Sequence, residues 1–161
     1  DIRTWETQTE MILALGKICY QKATFDLEKI LEQNKEHDAI TIAAALSYVR
    51  INRKHQNHAM PVIKLIQSGE LSILTGATSA LAYDDMIPSD EEIIEIIRIF
   101  DTKSEEKLVF RGMIDPRSYL ISAMSKWKKN LTTDYLNKYL EAPRLKEFAI
   151  AALKGEKSRY E

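Results

Sequence analysis

The chain has 161 residues, with 23 Lys and Arg against 24 Asp and Glu and a formal net charge of −1. That balance gives the molecule no overall field toward nucleic acid or an anionic membrane, and the single cysteine, Cys19, excludes an intramolecular disulfide and fits a reducing compartment. No apolar run approaches the length of a membrane span and no signal-peptide pattern opens the sequence, so a single cytoplasmic domain is expected.

The first predicted helix runs from about Trp5 to Tyr20, with Trp5, Met11, Ile12, Leu15, Ile18 and Cys19 on one face. Gly16 inside it marks either a helix end or a place where a neighbour comes close. A partner helix follows Thr24 as N-cap, with Leu27, Ile30 and Leu31 inward. The second pair starts at Asp38, with Ile42, Ala45, Leu46 and Val49 inward. Its partner runs from about Asn57 to Ser68, with Pro61 near the first turn and Gly69 as the stop. The third pair has a helix from Glu70 to about Tyr83, rich in small residues and expected to be the best buried. Its partner opens on Ser89-Asp90-Glu91-Glu92, the spacing of a capping box, and carries Ile93, Ile94, Ile96, Ile97 and Phe100. Residues 101–114 break the rhythm, and Leu108-Val109-Phe110 reads as an extra turn of helix or an ordered loop. Asp115-Pro116 restarts a helix as cap and first residue and carries it through Trp127. Its partner begins near Thr132 or Thr133 with Tyr135, Leu136, Tyr139 and Leu140. Pro143 opens a last helix that Gly155 ends.

A small residue followed by a large one recurs along these helices: Ala14-Leu15, Ala45-Leu46, Ala80-Leu81, Ala123-Met124 and Ala152-Leu153. The intervals are about 30 to 43 residues, the range of stacked helical-pair repeats. Such a chain is a one-dimensional stack that presents a surface. No segment alternates convincingly at period two.

The segment from Trp5 to Gly16, WETQTEMILALG, resembles the first helix of a bacterial HEAT unit, in which a polar start and a tryptophan precede an apolar stripe ending in Ala-Leu-Gly. The later units share the small-large pair and the helix-turn-helix rhythm. They depart from the family in lacking a regular inter-helix Asp and a regular Arg or Lys. The resemblance, HEAT or armadillo-like, implies an all-α fold: a right-handed α-α superhelix of about four helical pairs plus a final helix. Residues 1–155 would form the repeat domain and 156–161 a frayed tail. It also implies that second helices line a concave face and that the protein is a scaffold.

Opposite their core residues the second helices carry Glu28 and Glu32, then Lys64 and Gln67, then Glu91, Glu95 and Arg98, then Asp134, Asn137 and Lys138. Residue by residue these read as a solvated face with helical charge pairs. As an aligned surface they are the candidate site for another protein, the chain acting as an adaptor or as an immunity or inhibitor protein. Arg50, Arg53 and Lys54 form a possible anion patch, or simply cations at a helix C-terminus. His55, His58, Asp84 and Asp85 lack metal-ligand spacing. The HEAT-like deoxyhypusine hydroxylases hold iron with His-Glu pairs, whereas Glu36-His37 here is reversed. No metal, cofactor or catalytic residue is therefore expected. The alternative is a nucleic-acid-acting enzyme resembling the helical-repeat alkylpurine DNA glycosylases, with Trp127, Asp134, Tyr135 and Tyr139 as its loosely gathered groups. Tyr135 and Tyr139 are more simply one packed helix face.

Overall fold

A computed structural model gives the fold and describes residues 4–55 and 58–158. Among them the chain is all-helical, with ten α-helices, a short 3-10 turn at Gln21–Ala23 and no strand. The helices are α1 (Trp5–Lys17), α2 (Thr24–Gln33), α3 (Asp38–Asn52), α4 (Met60–Ser68), α5 (Leu71–Tyr83), α6 (Asp90–Thr102), α7 (Glu105–Leu108), α8 (Pro116–Met124), α9 (Lys129–Asn137) and α10 (Lys146–Leu153). They pack in two rows. One row runs α1, α3, α5, α8, α10, each helix against the next, and the other runs α2, α4, α6, α9. Contacts of α2 with α3, α4 with α5 and α9 with α10 join the rows around one apolar core. None of the described helices is long and apolar enough to cross a membrane.

Small residues set the spacing of the first row. Gly16 of α1 meets Ser47 of α3 so closely that a Cβ on the glycine would lie 2.8 Å from the Ser47 Cα. The Ser47 hydroxyl donates to the Ile12 carbonyl at 2.8 Å across this crossing. Gly76 of α5 meets the Ile42 side chain of α3, whose Cγ1 would lie 2.5 Å from a Cβ on the glycine. Gly16 thus marks a close approach and not a helix end. The small-residue helix α5 is well buried, but α8 is buried more completely: every residue from Pro116 to Met124 is buried. It lies inside the first row, between α5 and α10.

Several boundaries differ from the sequence reading. The first helix stops at Lys17, because Cys19 takes a left-handed conformation (φ 51°) and the chain turns. Of its expected inner face only Ile12 and Leu15 pack on the core, while Trp5, Met11, Ile18 and Cys19 stay exposed. The reason is position: α1 ends its row, so one face alone meets a row neighbour. Thr24 is the first residue of α2 and not its cap, since the 3-10 turn leads into it. The cap of α3 is His37, whose Nδ1 accepts from the Ala39 amide, while Asp38 lies in the helix and accepts from the Ser72 hydroxyl at 2.6 Å. The fourth helix begins at Met60, and the expected start at Asn57 lies outside the described residues. The eighth ends at Met124, three residues before Trp127, and the ninth starts earlier than expected, at Lys129. Pro143 sits in a run of turns that delays α10 to Lys146.

Other local readings hold. The capping box of α6 is complete: Ser89 Oγ accepts from the Glu92 amide and Glu92 Oε1 from the Ser89 amide. Asp115 caps α8 with Pro116 in its first turn. The stretch at 101–114 contains the single helical turn α7, with Leu108 buried and Phe110 exposed. At the C-terminal end the Glu156 amide returns to the Ala151 carbonyl, and the Lys157 ammonium reaches the Ala82 carbonyl and the Asp85 carboxylate. Residues 159–161 of the expected tail lie outside the described residues.

Candidate functional site

Nine of the ten second-helix residues fall on α2, α4, α6 and α9, the four members of the second row, and the tenth, Lys138, directly follows α9. Glu32, Lys64, Gln67, Glu91, Arg98, Asp134, Asn137 and Lys138 are exposed; Glu28 and Glu95 are half-buried. Four of the ten are already engaged through their side chains. Glu28 accepts from the buried Tyr48 hydroxyl at 3.2 Å, so it points toward α3 and away from the open surface. Burial and the facing Glu28 carboxylate push the Tyr48 hydroxyl well above the usual phenol range. Arg98 grips Glu95 with two hydrogen bonds of 2.8 and 2.6 Å and holds that carboxyl below its usual range. Lys138 bridges from α9 to Asp101 of α6 at 3.1 Å, and Lys128 reaches Asp90 at 2.6 Å. Two cross-helix ion pairs therefore lock α9 to α6. Among these polar groups two large apolar side chains point outward, Phe25 on α2 and Ile94 on α6, 64% and 56% exposed. Lys29 covers the Phe25 ring at 4.3 Å.

A second feature was not singled out from sequence. Beneath α7, Arg117 of α8 is almost fully buried and is gripped from two sides. Asp115 takes its Nε and Nη2 at 2.7 to 3.2 Å, and Glu105 takes Nη1 and Nη2 at 2.8 and 2.7 Å. Burial alone would lower the guanidinium pKa, but the hydrogen bonds to both carboxylates win and raise it. The Asp115 carboxylate is as buried as the arginine, whereas Glu105 is largely open to water. The clasp opens onto a cleft of about 480 Å³ that Lys138, Tyr139 and Arg144 also line. Tyr135 and Tyr139 share a hydroxyl–hydroxyl bond of 2.9 Å at its wall. The broken rhythm at 101–114 was the available signal. That segment supplies Glu105, and the Asp115-Pro116 cap supplies the other carboxylate.

Comparison of the chain with protein-family models, with curated proteins and with solved structures gave no match. The remaining candidates are therefore judged on geometry.

The expected anion patch has a carboxylate at its centre. Arg50 and Arg53 both converge on Asp84, at 3.6 and 3.3 Å, which leaves Lys54 exposed beside them. Asp85 is held by Lys157. His55 and His58 pack ring edge to ring face at 5.4 Å, and no group of three or more His, Cys, Asp or Glu suited to a metal occurs among the described residues. Trp127 is buried, its indole donating to the Met86 carbonyl at 3.0 Å. It precedes α9 while Tyr139 follows it, so a nine-residue helix, about 14 Å long, separates them. Tyr135 is buried and Asp134 faces water. The structure does not bring these four groups together in one groove.

Proposed function

We propose that the chain is a HEAT-like α-solenoid that binds a partner protein along the row α2–α4–α6–α9, as a scaffold or adaptor. The second row carries this reading: four helices lie side by side and turn their non-core residues outward together. Order within the row supports it. The ion pairs of Lys128 with Asp90 and Lys138 with Asp101, and the Glu95–Arg98 fork, fix charged groups before any partner arrives, which lowers the entropy cost of binding. Ile94 and Phe25 are apolar anchors ringed by polar groups, the arrangement in which a few residues carry most of the affinity.

The test reverses charge without breaking the fold. Exchanging Glu95 with Arg98, and Asp101 with Lys138, keeps each internal ion pair while inverting the pattern a partner meets; Ile94→Glu and Lys64→Glu complete the variant. Capture of partners from a lysate of the native cell, read by quantitative mass spectrometry, is expected to fall for this variant at unchanged helicity. A control altered at Glu147 and Lys154 of α10 is expected to capture normally. Equal capture by both variants refutes the second-row reading.

A further inference from the structure

The two ends of the first row are unlike. At one end α10 turns Glu147 and Lys154 to water. At the other end the outward stripe is Thr7, Met11 and Ala14 of α1 and Ile18, the residue that follows it, all exposed, with Met11 at 48% and Ile18 at 71%. These positions are spaced four, three and four apart, the a and d spacing of a helix that packs along a second helix. The stripe lies opposite Gly16 and Ile12, the residues that meet α3.

The flanks of the stripe are unequal. On one flank α1 carries Gln8 and Leu15, neither charged, beside a groove of about 300 Å³ that Met11 of the stripe, Ile30 of α2 and Glu36 also line. The other flank carries Glu10 and Lys17, seven residues apart and so at the same position of successive turns. Neither forms an ion pair among the described residues. In an antiparallel helix pair the same flank of both helices meets, so Glu10 of one copy faces Lys17 of the next, and Lys17 faces Glu10. In a parallel pair this flank would meet the uncharged Gln8 and Leu15. The charge pattern is thus self-complementary only about a two-fold axis, the form of a closed isologous interface. On that axis Met11 of one copy opposes Ala14 of the other, a large residue against a small one, and Thr7 opposes Ile18.

We infer that α1 is a self-association face, on which a second copy of this chain packs antiparallel with Glu10 and Lys17 paired reciprocally. This surface touches the second row only at Ile30 of α2, and none of the variants below changes a second-row residue, so the inference stands or falls independently of the proposed function.

Multi-angle light scattering and sedimentation equilibrium of the purified chain at low salt test it. A concentration-dependent monomer–dimer equilibrium is expected. Glu10→Lys or Lys17→Glu alone turns two attractive pairs into two repulsive ones and is expected to weaken the dimer about tenfold. The double exchange is expected to restore it, and Ala14→Glu to abolish it. Circular dichroism confirms folding of each variant, all three substitutions being at exposed positions. A monomer at every concentration overturns the inference, as does a dimer that the double exchange fails to restore.

Discussion

Gly16→Ala separates a helix-propensity argument from a packing argument. In an isolated helix the change is stabilising by about 0.5–1 kcal/mol, because glycine loses more backbone freedom on folding. Here the new Cβ would lie 2.5 Å from Ser47 Oγ and 2.8 Å from both its Cβ and its Cα. The hydroxyl can rotate away, at the cost of its 2.8 Å bond to the Ile12 carbonyl, a loss of about 1 kcal/mol. The Cα belongs to the backbone of α3 and cannot move independently, so α1 must shift off α3. Forcing a methyl into such a contact costs about 1–3 kcal/mol. The packing loss exceeds the propensity gain, and the variant is expected to lose roughly 2 kcal/mol, or about 4–8 °C in Tm for a chain of this size. Trp5, whose ring stacks on His37 at 4.4 Å, reports the docking of α1 by fluorescence, and urea unfolding gives the stability. Ala14→Gly on the exposed face serves as the reference and is expected to lose about 0.5–1 kcal/mol. A Gly16→Ala variant more stable than the parent would refute the close-packed α1–α3 crossing.

Two further perturbations test the buried polar groups. Arg117→Met strands the buried Asp115 carboxylate and is expected to cost about 3–5 kcal/mol, whereas Glu105→Gln, whose side chain is 69% exposed, is expected to cost under ~1 kcal/mol. Urea midpoints of the two variants that coincide would refute this division of the clasp. Burial, then Glu28, keeps Tyr48 protonated in the fold beyond the point near pH ~10 where an unfolded tyrosine ionises. The unfolded chain then binds fewer protons, so stability falls as pH rises above that value. Tyr48→Phe is expected to make the fall shallower in alkaline unfolding curves. It should not remove the fall, because burial and Tyr139 raise Tyr135 in the same direction. An unchanged slope would refute the assignment.

What the sequence determined by itself was local. The all-helical class, the order of the main helices, the Ser89–Glu92 capping box and the Asp115-Pro116 start follow from side-chain period and from caps that act within a turn. The second-row residues were legible for the same reason, since the polar face of an amphipathic helix is written at a spacing of three and four residues. Tertiary structure decided what depends on neighbours. Met11 and Ile18 have the spacing of a core face, yet they are exposed because α1 stands at the end of its row. Arg50 and Arg53 read as an anion patch or as cations at a helix C-terminus, and Asp84, 31 residues beyond Arg53, folds against them. Arg117 is clasped because α7 brings Glu105 over it. Helical period reports which side of a segment is apolar, but the burial of that side and the pairing of a charge are set by segments distant in the chain.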